Sequence, residues 1–367
     1  MTYRAIGLMS GSSLDGLDIA FTEFTHNAGN WSFEILAADC FEYSIEWKSR
    51  LQHATTLSAQ DYQLLHTDYG HYLGQEVNRF IEKNNLHYKV ALIASHGHTT
   101  FHLPQKKMTA QLGDGAAIAA ETGLPVVSDL RALDVAFGGQ GAPIVPIGEK
   151  YLLKDYEMYL NLGGIANISF NNPDGYIAYD ICPANRVLNM LAAKEGKEYD
   201  AGGEMAAGGN VNDALLNELN QLPYYGLPYP KSLANSFGTA EIFPLIEAFD
   251  LSTADALRTF VAHITEQIKL AVGNGQAKNQ QPTSNQKLLV TGGGAFNSFL
   301  IDCLGKAVEE YQVEVIVPEA KLVQYKEAMI MGFIGVLRWR QEYNVLSSVT
   351  GAQRDSIGGA VWIGQEA

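Results

Sequence analysis

No apolar run in this 367-residue chain reaches the roughly 18 residues that a bilayer-spanning helix needs, so no membrane span is expected. Cysteine is scarce. The three residues, Cys40, Cys182 and Cys303, are odd in number and far apart, which fits a reducing cytoplasm rather than a disulfide framework. Positive charge is short as well, with 25 Lys and Arg against 40 Asp and Glu and a net charge of −15. Nucleic-acid binding is therefore not expected, because it relies on cationic side chains displacing counterions. The N-terminus carries one Arg and passes directly into an apolar stretch, unlike a secretory signal. A G-x-x-x-x-G-K-[ST] phosphate loop is missing too. What is abundant is hydrophobic residue, 47%, and glycine, 36 residues, enough for a sizeable core and about two domains.

The glycines are clustered. "IGLMSGSSLDGLDIAFTEF" reads as strand, turn, strand, yet the turn spends about eight residues on Ser, Gly and Asp where a hairpin needs two to five. "MYLNLGGIANISF" repeats that logic in the second half, and "KLLVTGGGAFNSFLIDCLGKAVEE" is a buried strand, a triple-glycine turn and a helix. Strands alternate with helices along most of the length, the pattern of an α/β protein in two lobes. "SAQDYQLLHTDYGHYLGQEVNRFIEK" is an amphipathic helix capped by Ser58. "VALIASHGHTTFH" reads as a buried strand running into a polar loop, and "GNGQAKNQQPTSNQ" as a surface loop.

Each turn has a structural reading and a chemical one. In "MSGSSLDG" the backbone N–H groups with the hydroxyls of Ser10, Ser12 and Ser13 form a nest for phosphate oxygens, with Asp15 holding a water of Mg²⁺. "LGGIAN" offers similar donors. "GGGAFN" lacks the third glycine of a dinucleotide fingerprint and reads as a flat surface for a nucleotide base or ribose. Asp180 closes the strand "YIAYD", because Pro183 suits the first helical position with Cys182 as N-cap. That leaves its carboxylate where open α/β sheets bind ligands, a candidate catalytic group. Glu327 has Ile330 and Met331 as helical neighbours, so it needs a partner or a function. His96, His98 and His102 in "SHGHTTFH" suit polar substrate contacts better than a metal, since no acidic ligand accompanies them.

With these motifs placed, the whole chain resembles the anhydro-N-acetylmuramic acid kinases, of the actin, Hsp70 and sugar-kinase superfamily. The resemblance rests on "GLMSGSSLDGLD", "SHGHTTFH", "VVSDLRALDVAFGGQGAPIVP", "LNLGGIANIS", "YDAGGEMAAGG", "VTGGGAFN" and "EAM". It implies two actin-like, ribonuclease H-like α/β lobes with an interlobe nucleotide cleft. The first would span residues 1–130 plus about 345–367, the second 131–344. ATP and Mg²⁺ are the implied cofactors. ATP would be held by Gly11, Ser12, Ser13, Leu14, Asp15, Gly16, Leu17 and Asp18, by Gly163, Gly164 and Asn167, and by the adenosine turn Gly292, Gly293 and Gly294. Asp180 and Glu327 fall on the family's active-site acids. His96, His98, Thr99, Arg131, Gln140 and Gly141 fall on its sugar-binding segments, and Arg131 is the candidate for the lactyl carboxylate.

The implied reaction opens the 1,6-anhydro bond of the sugar while phosphorylating O6, in cell-wall sugar recycling. The aspartate motif departs from the family's Asp-Thr-Gly-Pro-Gly-Asn, reading Asp180-Ile181-Cys182-Pro183-Ala184-Asn185, and a usual Gln is His98. "PKSLANSFG" replaces the usual Pro-Lys-Ser-Thr-Gly-Arg. Alternatives are an ordinary kinase for a free amino sugar, or a non-catalytic nucleotide switch. The apolar helix around Phe333 is a candidate homodimer surface.

Overall fold

The computed structural model describes residues 1–11, 14–172, 175–228, 231–234, 236–278 and 285–364. Strand β1 (Thr2–Ser10) pairs antiparallel with β2 (Gly16–Asn27), and β2 with β3 (Asn30–Glu42). Strands β4 (Leu92–Ser95), β5 (His98–Leu103), β6 (Met108–Leu112) and β7 (Val126–Ser128) follow. Then come β8 (Met158–Leu162), β9 (Ile165–Asn172), β10 (Gly175–Pro183), β11 (Gln286–Thr291), β12 (Val313–Ile316) and β13 (Ala360–Trp362). Two compact units result, Met1–Lys154 with Tyr325–Ala367, and Asp155–Gln324.

The sheet of the first unit runs β13-β7-β4-β1-β2-β3, and that of the second β10-β9-β8-β11-β12. In each, an antiparallel meander of three strands continues from its first strand into two parallel strands. The order is the same in both, which bears out the expected pair of actin-like α/β lobes. The boundaries are not those expected at 130 and 344. Residues 131–154 and 325–344 belong to the first unit. Lys326 reaches Glu149 there, and Phe333 packs on Phe24 and Trp31.

Alternation along β1 sets the two layers of the first unit. Ile6 and Leu8 face the helix Ala59–Lys83, whose Tyr69, Leu73, Val77 and Phe80 complete one core. Gly7 faces the other way, against the helix Ala320–Trp339, and a Cβ there would collide with the carbonyl of Ala328. Phe333 is fully buried between Phe24, Trp31 and Tyr151, so it forms no dimer surface. In the second unit Leu160, Ile168 and Val290 pack against helices Asn185–Ala193, Thr253–Lys278 and Ser298–Val308.

Three local expectations are corrected. His98–Leu103 is a strand hydrogen-bonded to Met108–Leu112, not a loop. The helix from Thr253 continues to Lys278, so "GNGQAK" is helical; residues 279–284 of the anticipated loop lie outside the described residues, and its last residue, Gln286, opens β11. Strand β10 runs through Asp180 to Pro183, with a bulge between Asp180 and Cys182, and the helix begins at Asn185 after Ala184. Proline is tolerated there because β10 is an edge strand, where a missing N–H leaves no ladder bond unmade. No helix among the described residues is long and apolar enough to cross a membrane.

Candidate active site

Strand β1 ends at Ser10 and β2 begins at Gly16, and the described residues between them are Gly11, Leu14 and Asp15. Ser12 and Ser13 lie outside the described residues. Gly11 and Leu14 close a turn through Leu14 N–H to the Gly11 carbonyl, and Leu14 has a φ of 61°. Asp15 is exposed. Gly16, Leu17 and Asp18 are strand residues. Gly16 lies against the Cys40 thiol and the Phe41 carbonyl, and Leu17 is fully buried in the core, so it has only backbone to offer a ligand.

Asp18 is the charged group that β2 contributes. Burial lifts its carboxyl from the ordinary 3.8 to about 6, the Cys40 thiol's hydrogen bond opposes the rise, and Glu327 and Asp15 add to it. Glu327 is half-buried on the helix Ala320–Trp339, and its carboxyl is also pushed up by burial. Sequence had singled out both acids, and the structure couples them within one unit. Because the folded Asp18 holds its proton more tightly than the unfolded chain, the stability this adds is complete below pH 3.8 and lost as pH rises through about 6. Asp18→Asn is therefore expected to melt higher than wild type at pH 8 and no higher at pH 4. Equal melting shifts at both values, read by circular dichroism, would sink the coupling.

The anticipated sugar-binding segments converge in the same unit. Arg131 is buried. Its Nε donates to the Gly141 carbonyl at 2.6 Å, Nη1 to Thr99 Oγ1 at 3.0 Å, and Nη2 lies 3.3 Å from His102 Nδ1. Burial lowers its pKa to about 10. Among the described residues no carboxylate lies within ion-pairing distance of it. His96 donates from Nδ1 to the Gly97 carbonyl at 2.9 Å, and burial, with Arg131 nearby, lowers its pKa to about 4. Gln140 is exposed, and only its backbone N–H is engaged, by the Thr350 carbonyl.

The sequence reading missed Asp134. It is fully buried, and its two oxygens accept from Gly141 N–H and Thr350 Oγ1, both at 2.7 Å. It thereby fixes the Gly-rich loop whose carbonyl holds Arg131. An acid seven positions before a loop glycine was the available signal.

In the second unit, parallel pairing of Thr291 with Asn161 brings two glycine turns together. Gly292 has a φ of 81°, and a Cβ there would strike Asn161 Oδ1, while one on Gly294 would meet Leu162 Cβ at 2.7 Å. A Cβ on Gly163 would meet the Ile165 carbonyl at 3.4 Å and one on Gly164 would meet Arg186 Cβ at 3.8 Å, ordinary contacts, and a Cβ on Gly293 would meet Asn185 Nδ2 at 3.5 Å. The carbonyls of Gly163 and Gly164 accept from Asn185 and Ala184 N–H, and Asn185 Nδ2 donates to Leu162 O at 2.8 Å. Asn167 stands opposite Asp180 in the β9–β10 ladder.

Asp180 Oδ2 accepts from Leu233 N–H at 2.9 Å, and its carbonyl accepts from Tyr224 Oη at 2.6 Å. Burial pushes its carboxyl above the usual range, against the opposing Leu233 bond. Lys231 holds this segment through the carbonyls of Tyr224 and Tyr225, at 3.1 and 3.3 Å. Sequence noted "PKSLANSFG" only as a departure and gave these contacts no role. Cys182 is fully buried, and burial pushes its thiol pKa up strongly, which suits a packed thiol.

These motifs together match the family model for anhydro-N-acetylmuramic acid kinase over residues 3–364. The chain belongs to that family. The anhydro-N-acetylmuramic acid kinase of Hydrogenovibrio crunogenus is 33% identical over 371 residues, 97% of each chain. That of Haemophilus influenzae is 32% identical over 378 residues, again 97% of each, and that of Vibrio cholerae 33% over 371. Among solved structures, the activator of the 2-hydroxyisocaproyl-CoA dehydratase from Clostridium difficile, with bound ADPNP, covers 92% of this chain and 97% of its own. Its TM-score is 0.44 at 12% identity. The resemblance read from the motifs is thus borne out. As a member of the anhydro-N-acetylmuramic acid kinase family, the chain is an enzyme of the kinase class, a transferase.

Proposed function

We propose that this kinase uses ATP and water to open 1,6-anhydro-N-acetylmuramic acid and phosphorylate O6, giving N-acetylmuramic acid 6-phosphate, in cytoplasmic recycling of cell-wall sugar. The observation that carries the reading is Asp180. It is a mostly buried carboxylate, oriented by Leu233 N–H and raised toward neutrality by burial, as a general base requires. Asp180 takes a proton from the water that attacks the anomeric carbon. The bond from that carbon to O6 breaks, O6 bonds to the γ-phosphorus, and the bond from that phosphorus to ADP breaks. The phosphorus thus takes the place of the general acid of glycoside hydrolysis.

The residues fit both ligands. Gly163 and Gly164 have room for a Cβ at ordinary contact distance only, and Gly292 and Gly294 let their turn close against Asn161, Leu162 and Asn185, so both turns present backbone to a ligand. Mg²⁺, which neutralises phosphate charge when bound, needs only one or two carboxylates beside its waters. The exposed Asp15 fits that role, and so does Asp18, whose carboxyl is raised first by burial and then by the negative charges of Glu327 and Asp15. Among the described residues no cluster of three metal-ligating side chains is present, and none is required. Arg131, which makes no ion pair among the described residues, suits the lactyl carboxylate. The test is ADP release with Mg·ATP and the anhydro sugar, beside N-acetylmuramic acid, N-acetylglucosamine and no sugar. ADP is expected only with the anhydro sugar. ADP with a free sugar instead would make the protein an ordinary sugar kinase.

A further inference from the structure

Ser10 was expected among the phosphate-binding hydroxyls, yet its side chain is committed elsewhere. It is buried at the end of β1, where Tyr43 Oη donates to its Oγ at 2.8 Å. Tyr43 Oη also lies 2.6 Å from Tyr69 Oη on the helix Ala59–Lys83. Both phenols are buried, and burial raises the Tyr43 pKa to about 12 and that of Tyr69 well above its ordinary value, so both keep their protons. Since Tyr43 gives its single proton to Ser10, the proton between the two phenols comes from Tyr69. Ser10 then has one hydrogen left, and its remaining partner among the described residues is His98 Nδ1 at 3.2 Å.

The chain of donors therefore ends on a ring nitrogen that must accept. Burial holds His98 neutral, since it lowers the pKa. A neutral imidazole that accepts at Nδ1 carries its hydrogen on Nε2. That Nε2–H has no partner among the described residues, and it reaches the surface although His98 as a residue is only 7% exposed. A ring held in place at Nδ1, with its one remaining donor at the surface, is set to offer that hydrogen to a ligand.

We propose that His98 presents Nε2–H to an oxygen acceptor of the sugar substrate, with Tyr69, Tyr43 and Ser10 as positioning residues that fix its tautomer. The sugar as ligand rests on the kinase reading above; the tautomer does not. His98 replaces a glutamine usual in the family, and a glutamine amide offers an N–H donor of similar reach, so the relay explains how a histidine serves in its place.

The experiment has two arms on the full chain. In the first, ¹⁵N-histidine correlation spectra at pH 7.5, with His98 assigned by His98→Gln, are expected to show the Nε2–H tautomer. Ser10→Ala, or Tyr43→Phe should the first variant fail to fold, is expected to bring a mixture of tautomers. An Nδ1–H form or an imidazolium in the wild type would overturn the relay. In the second arm, His98→Leu is expected to raise the KM for the anhydro sugar about tenfold, the worth of one hydrogen bond, with the KM for ATP unmoved. His98→Gln is expected to restore it. A sugar KM unchanged by His98→Leu would overturn the contact. Wild-type protein that shows the Nε2–H form but makes no sugar-dependent ADP would overturn the sugar as acceptor and the kinase reading, and leave the relay standing.

Discussion

Asn in place of Asp180 is expected to lower kcat by about 10²- to 10⁴-fold, the usual contribution of a general base, while ADP affinity stays within about twofold. The separation follows from how the residue is held. Its backbone is fixed independently of its charge, by Tyr224 Oη on the carbonyl and by the Lys231 carbonyl on the N–H. The asparagine oxygen can keep the bond from Leu233 N–H, so the local fold survives the change. The two glycine turns are built by the β8–β11 pairing and Asn185, none of which uses the Asp180 carboxylate. Turnover by ADP release and ADP binding by calorimetry give the comparison. Equal loss of both would make Asp180 a nucleotide-site residue rather than the base. The acid side of the profile carries a second signature. Burial raises the carboxyl above the ordinary aspartate range, so kcat/KM is expected to fall, as pH drops, before a solvent-exposed aspartate would protonate.

What the sequence made legible was local. Ser58 as an N-cap, the paired strands on either side of both glycine-rich turns and the apolar strand before Gly292 were read from neighbours in the chain, and the structure has them. Readings that depended on distant partners were the ones that failed. The hairpin of β5 and β6 hides behind "HLPQKK", whose proline and lysines look like a loop, because its ladder is visible only once Met108–Leu112 is seen opposite. Pro183 was given to a helix because its edge-strand position depends on the order of the whole sheet. Likewise the hydrophobic length of the helix around Phe333 showed that it is buried but not by what, and Phe24, Trp31 and Tyr151 turn out to cover it. Asp134 escaped, and the Ser10 hydroxyl was assigned to phosphate, for the same reason. Their partners, Thr350 and His98, lie far along the chain.

That dependence on distant partners is sharpest at the pair of Lys326 and Glu149, which no local pattern joins. Lys326 Nζ and Glu149 Oε1 lie 3.0 Å apart with both side chains 4% exposed, tying the helix of Glu327 to the helix Pro146–Leu152. Glu149→Leu is expected to destabilise the protein by about 3–5 kcal/mol, because it leaves the Lys326 ammonium buried without its carboxylate. Lys326→Met combined with Glu149→Leu is expected to recover most of that loss, since two apolar side chains of similar volume fill the space without a charge to desolvate. Urea denaturation of the single and double variants measures both steps. A double variant no more stable than Glu149→Leu alone would show that the pair contributes through its geometry rather than by compensating buried charge. Activity separates the consequences further. Glu327 directly follows Lys326 on this helix, and the Lys326 charge opposes the rise in its pKa. The double variant, even where it folds stably, is therefore expected to shift the pH profile of the kinase upward, because loss of Lys326, the larger influence, raises the Glu327 carboxyl further and loss of Glu149 offsets this only in part. If stability recovers and the profile is unmoved, the ion pair acts on the fold alone and Glu327 carries no titration that turnover depends on.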